Sequence, residues 1–363
     1  MNNQKKSKRI FYFDALRALA IISVITLHVY NNTGMIVKAE YAVIPSINWI
    51  ISCINGSWFR IGVDTFLMLS GALSLGRVWN IKSFLGKRLP RICLPFLFWG
   101  FVLSIFLIGI SYFYPHFFPV TIIKSFDLMS ISKFIYNAYM AKSFGFSAYW
   151  FFWMILGTYL IMPIFNKWLL HSDLKEAEYF LVIWLITCIF DYSIFIDFPI
   201  KLSYFSGAIG FVVLGYYLRH TKRKVFNSLK YAILITILGL IIVSVVYYIM
   251  FPVHGFKIER YSIFVFIEAM GVFLLFKNIN WDALRISKPG GLFRKAVQSI
   301  AKYSYGMYLI HIFFLKIMLE ILSPFFYYKG LIVLLWLTTV ASSWLVMGVL
   351  NRIPYLNQII GAK

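Results

Sequence analysis

Apolar runs of about twenty residues recur along the chain, each closed by a short polar or basic cluster. About 20 mostly apolar residues are what an α-helix needs to cross the hydrocarbon core of a bilayer. Such stretches cover 10–30, 56–76, 92–114, 147–165, 179–196, 204–219, 231–251, 260–277, 303–322 and 330–350, the sixth being short. Segment 43–55 is also apolar but ends at Asn55 and Gly56, and reads as an interfacial approach to the second span. The pattern predicts an all-α fold: a polytopic transmembrane helix bundle of about ten spans, with residues 1–363 forming a single membrane domain. The longest hydrophilic stretches, about 115–146 and 278–302, are too short for an independent fold. No repeat of fixed period is present, and nothing marks the two inverted halves found in many secondary transporters.

Composition agrees with the pattern. Apolar residues make up 61% of the chain and charged ones 13%, against about 45–50% and about 25% in soluble domains. That excludes a disordered chain and a disulfide scaffold. The net charge of +22 would suggest nucleic acid in a soluble protein, but polar residues are too few here for a solvated basic domain. No nucleic-acid partner is expected.

The cations instead set an orientation. With the N-terminus inside, the basic clusters at 5–9, 77–91, 167–175, 219–230, 277–302 and 352–363 all fall on the cytoplasmic side. They outnumber the outer cations by roughly three to one, which is the positive-inside pattern. Both termini are then expected in the cytoplasm. An eleventh span would break the alternation. The basic start followed by an apolar run looks like a signal peptide, but Asp14, Arg17 and His28 lie inside the run and no small-residue cleavage site follows, so a retained helix is expected. Cys53, Cys93 and Cys188 are far apart with no CxxC spacing, so neither a zinc site nor a disulfide is expected, and no metal.

Ionisable residues at membrane depth are costly and mark candidate sites. On the first helix His28 lies eleven residues after Arg17, which returns it to within about 20° of the same face, about 16 Å further along. Arg17 has two readings, a functional cation or a partner for Asp14 at i+3. His28 is likewise either a general-base candidate or a satisfied interfacial histidine. On the second, Arg60 and Asp64 are spaced for an intrahelical ion pair, while Asp64 is also placed to orient the imidazole of His28. Gly62, Ser70 and Gly71 are small enough to let helices approach closely.

Arg88, Pro90 and Arg91 stand at the expected start of the third helix, where free N–H groups and the helix dipole would attract a phosphate. An ordinary positive-inside anchor explains them as well. Tyr149 and Trp150 open the fourth span, as an aromatic belt or as a wall for an acceptor sugar. Glu268 and His311, each in the middle of a later span, could pair with one another. Lys316 and Glu320 are spaced to pair as well.

Taken in order, these residues resemble the acyltransferase-3 family of integral membrane acyltransferases. The matching pieces are Phe13, Asp14 and Arg17 followed after ten residues by His28; Gly62, Asp64 and Phe66 leading to Ser70 and Gly71; Arg88 and Arg91 as an RxxR; Tyr149, Trp150 and Phe151 leading to Gly157 and Pro163; and Tyr303, Tyr305 and Gly306 leading to His311. The resemblance implies a bacterial plasma-membrane enzyme that acylates surface glycans or lipid-linked precursors. It also implies a cytoplasmic acyl-CoA donor, usually acetyl-CoA, with its phosphates at Arg17, Arg88 and Arg91 and with His28 catalytic. The chain would be a stand-alone member without a fused extracytoplasmic domain. The competing expectation is a transporter or flippase of a glycan or lipid intermediate, using Arg17, Asp64, Glu268 and His311 without covalent chemistry.

Overall fold

A computed structural model describes residues 9–40, 54, 56–194, 207–250, 258–285, 288–326 and 328–362. The interfacial segment expected at 43–55, apart from Ile54, lies outside the described residues, as do Cys53, Lys5, Lys6, Lys8 and the first residues of the sixth expected span. Every described element is helical. In chain order the helices are α1 (Phe11–Glu40), α2 (Ile61–Ser74), α3 (Ile81–Phe113), α4 (Leu128–Tyr139), α5 (Trp150–His171), α6 (Leu174–Ile189), α7 (Ala208–His220), α8 (Leu229–Met250), α9 (Ile263–Asn278), α10 (Lys288–Leu322), α11 (Tyr328–Leu350) and the single turn α12 (Leu356–Ile359).

Each expected apolar stretch therefore holds a helix, but their lengths differ more than the sequence pattern suggests. Seven helical segments are long and apolar enough to cross a membrane. The other three, α2, α7 and α9, have 14, 13 and 16 residues, or roughly 20–24 Å of rise. Of these, α2 and α7 are mostly buried. Gly71 of α2 crosses α7 so closely that an added Cβ would stand 1.7 Å from the carbonyl oxygen of Val212. Gly215 of α7 returns the contact, 1.9 Å from the carbonyl of Met68. Gly62 packs in the same manner on Ala20 and Val24 of α1. The close approach expected of Gly62 and Gly71 is what the structure has. Ser70 instead turns into a cavity.

Helix α1 runs through the middle of the bundle, packed on α2, α10 and α11 with α9 beside it. Its buried Leu16, Ile21, Ile25 and Val29 are 0% exposed. The outer faces of α3 and α8 carry exposed Leu97, Phe101, Ile237 and Ile241, as lipid-facing surfaces do. Two cations close the short helices at their C-termini. Arg219 donates to the carbonyl of Ala72, and Lys277 donates at 2.6 Å to that of Leu218, satisfying acceptors that a helix end leaves free.

Helix α3 starts at Ile81, capped by the Asn80 side chain on the Lys82 N–H at 2.8 Å. The start expected near 92 is thus corrected. Pro90 and Arg91 lie more than two turns inside the helix, so no free N–H groups surround Arg88 and Arg91. Residues 81–89 extend the helix because their polar positions are exposed while Phe84 is buried. The stretch 115–146 also contains α4, whose N-cap is Asp127. Ser125 and the Ser130 N–H donate to that carboxylate and, with Ser125 contributing most, hold it down at about 2.

Candidate active site

Three arginines far apart in the sequence meet at one cavity. Arg17 of α1 joins Arg88 and Arg91 of α3 around a space of about 160 Å³, which Lys302 of α10 also lines. Phe66, Leu69 and Leu73 of α2, Ile155 and Tyr159 of α5, and Tyr305 and Tyr308 of α10 complete the wall. Arg88 is positioned by a 2.7 Å hydrogen bond to the Ser74 hydroxyl, with its guanidinium 5.8 Å from the Phe84 ring and 5.9 Å from that of Tyr159.

Arg17 does not pair with Asp14, because Asp14 accepts a 2.6 Å ion pair from Arg9. Among the described residues Arg17 has no hydrogen bond or ion pair, so its charge is free for the cavity. A second cavity, lined by Arg9, Asp14, Arg17, Lys295, Gln298, Ser299 and Lys302, shares Arg17 and Lys302 with the first. Lys295, Gln298, Ser299 and Lys302 follow the i, i+3, i+4, i+7 spacing of one helix face. That polar stripe is the signal that could have picked Lys302 out of its loop.

Tyr308 lines the same cavity, and its hydroxyl donates to the carbonyl of Ala148 at 2.9 Å. The Tyr308 ring lies 5.5 Å from that of His311, and the His311 ring lies 5.2 Å from that of His28. His311 is fully buried, with Nδ1 2.6 Å from the carbonyl of Tyr308. A carbonyl only accepts, so Nδ1 carries the hydrogen and Nε2 keeps the lone pair of the neutral ring. That Nε2 has no partner. His28 is half-buried. Its carbonyl accepts from Asn32 Nδ2 at 2.7 Å, and Asn32 Oδ1 accepts from Lys316 Nζ at 2.7 Å.

Several expected pairings do not form. Lys316 is held by Asn32 rather than by Glu320. Glu268 packs against Gly239 of α8, not against His311. Both oxygens of Asp64 and Oε2 of Glu268 are buried without hydrogen-bond partners, so Asp64 bonds neither Arg60 nor His28. Arg60 is the N-cap of α2 with helical backbone angles, so the spacing holds, but Asp64 is sealed inside the bundle while Arg60 stays half-buried at the helix end. Tyr149 is 1% exposed, wedged between Phe96 and Phe146 with ring centroids 5.1 Å from each. It cannot present a face to an acceptor. Trp150 does face outward, but Arg260 sits over its ring at 3.7 Å. Among the described residues no group of three His, Cys, Asp or Glu could hold a metal ion.

No curated protein and no solved structure matches the chain. Residues 10–350 match a family described as an acyltransferase domain. That match takes in α1 to α11 and every residue of the cavity except Gly361. The chain therefore belongs to the acyltransferase-3 family and is a multi-pass membrane acyltransferase.

Proposed function

We propose that the protein transfers an acyl group, acetyl in the first instance, from acyl-CoA to a hydroxyl of a cell-surface glycan or its lipid-linked precursor in a bacterial plasma membrane. One observation carries the reading. Arg17, Arg88, Arg91 and Lys302, from three helices, converge on a cavity that Tyr308 also lines, and the Tyr308 ring neighbours that of His311, which in turn neighbours that of His28. Four cations suit the phosphates of CoA. The apolar wall of Phe66, Leu69, Leu73 and Ile155 suits its acyl-bearing arm. With this basic end toward the cytoplasm, as the cation bias of the sequence favours, the donor enters from the side where CoA thioesters are made.

On this reading His28 is the general base. It takes the proton of the acceptor hydroxyl as that oxygen attacks the thioester carbonyl. The C–S bond then breaks, and the proton passes from the imidazolium to the departing sulfur, giving CoA as the free thiol. His311 acts as a positioning residue. Its own ring is fixed by the Tyr308 carbonyl, and it backs the ring of His28. A covalent route, in which His28 nitrogen attacks the thioester and forms an acyl-histidine, uses the same residues.

The test is mass spectrometry of envelope glycans from cells with and without the protein, joined to acetyl-CoA turnover by the full-length protein in vesicles. The reading expects an acyl group to vanish with the protein, and turnover to need an acceptor hydroxyl. Unchanged glycans together with gradient-driven flux and no acyl transfer overturn it in favour of a transporter.

A further inference from the structure

The surroundings of His28 on the side away from the donor cavity are unusual in charge. Three cations are placed on this side: Lys316 of α10, bonded to the Asn32 side chain that also donates to the His28 carbonyl; Arg60, next to Phe59, whose ring stacks at 6.4 Å on that of Tyr30 two residues beyond His28; and Arg260, which precedes α9 and lies over Trp150, the neighbour of a Phe151 ring 4.7 Å from Tyr308. Two are held by neutral groups and the third has an unpartnered Nε. Arg260 rests on Trp150 at 3.7 Å, Lys316 is bonded to Asn32 at 2.7 Å, and Nε of Arg60 is buried with no hydrogen-bond partner. Among the described residues the ion pairs are Arg9–Asp14 and Arg223–Glu178, so none of the three cations is in one. Asp64, Glu259 and Glu320 are the nearby carboxylates. The first is sealed inside the bundle, the second exposed and the third half-buried, and among the described residues none of them is within ion-pair distance of the three cations.

Three half-buried cations around one catalytic ring are costly to hold in a membrane protein unless an anion joins them. A guanidinium supplies a planar fork that fits a carboxylate or a phosphate in two parallel hydrogen bonds. A histidine that must take up a proton does so more readily with an anion beside it. Resting on the assignment of His28 as the base, we propose that the acceptor is anionic: a carboxylate or phosphate lies close to the hydroxyl it offers and is received by Arg260, Arg60 and Lys316. Trp150 serves this site by carrying Arg260, not by stacking on a sugar. The carboxylate of an acidic sugar and the phosphate of a polyol phosphate share this chemistry.

The experiment uses full-length protein in vesicles, acetyl-labelled acetyl-CoA and three acceptors: methyl glucoside, methyl glucuronide and ribitol phosphate. Transfer to at least one of the charged acceptors is expected to exceed transfer to methyl glucoside by about tenfold or more, as one charge-assisted contact allows. Which of the two is preferred identifies the source of the anion. Arg260→Gln and Arg60→Gln should each reduce that preference by about tenfold while acetyl-CoA affinity, read by titration, stays as in the unaltered protein. Equal transfer to methyl glucoside, or a preference that survives both substitutions and Lys316→Gln, overturns the proposal. Binding of acetyl-CoA with transfer to none of the three overturns it while leaving the donor site standing. Failure to bind acetyl-CoA overturns the donor reading and this proposal with it.

Discussion

The rings of His28 and His311 lie 5.2 Å apart at an angle of 50°, brought together by helices from opposite ends of the chain. One is half-buried and the other sealed, so the pair has an accessible member and a supporting one. His28→Ala is expected to reduce acyl transfer by about 10²–10⁴-fold, the usual contribution of a general base. Acetyl-CoA affinity should hold, because His28 does not line the donor cavity. His311→Ala should lower kcat with little change in donor KM. Steady-state kinetics on both variants checks the split, and transfer at the original rate in His28→Ala would remove it from the mechanism.

Arg88 and Arg91 line the cavity proposed for the donor, alongside Arg17 and Lys302. Removing a charge-assisted contact costs about 1.5–3 kcal/mol, so Arg88→Ala, Arg91→Ala and Lys302→Ala should each weaken acetyl-CoA binding by about tenfold or more. The Lys302 variant separates this cavity from a mere membrane anchor, since an anchor would leave affinity untouched. Isothermal titration in detergent provides the measurement.

The crossing of α2 and α7 leaves no room at Gly71. Gly71→Ala would press a methyl group onto the Val212 carbonyl, and is expected to cost about 1–3 kcal/mol or more. Gly157→Ala is the control, because nothing lies within 4 Å of its added Cβ. A lowered thermal midpoint for the first and an unchanged or raised one for the second is the predicted outcome.

Asp127 caps α4 with a carboxylate held at about 2 by Ser125 and Ser130, below the usual value of about 3.9. A depressed carboxyl favours the folded state above its ordinary pKa and loses that effect as pH falls through the depressed value. Amide protection in α4 should therefore persist down to about pH 4 and fade toward pH 2. Asp127→Ala should lose several-fold protection already at neutral pH, as hydrogen exchange would report.

The apolar pattern was enough to place a helix in every expected stretch, because membrane depth makes hydrophobicity nearly sufficient for helix formation. The periodicity of α1 likewise put Arg17 and His28 on one face; in the structure Arg17 lines the cavity that Tyr308 also lines, and His28 neighbours His311 beside that tyrosine. Pairings were where the sequence misled. Arg60 and Asp64 have the right spacing, yet Asp64 is sealed in the bundle while Arg60 stays half-buried at the helix end. Asp14 has Arg17 one turn away, yet Arg9 takes it from outside the helix. Spacing sets which residues can meet on a continuous helix, whereas helix ends are set by tertiary packing, and each of these pairs straddles or neighbours an end. Lys302 was hidden for the same reason: α10 starts at Lys288, which turns an apparent loop into the wall of the site.

The shortness of α2, α7 and α9 bears on the order of events during turnover. Members that rise only about 20–24 Å would, on the proposed reading, bring the donor and acceptor sites close together, with Tyr308 and the two histidines between them. Donor and acceptor on the proposed reading can then be seated at the same time from opposite faces, in either order, with no rocking of one half of the protein against the other. Initial-rate plots in the two substrates should intersect rather than run parallel. On that reading a thin partition would do for this enzyme what alternating access does for a carrier.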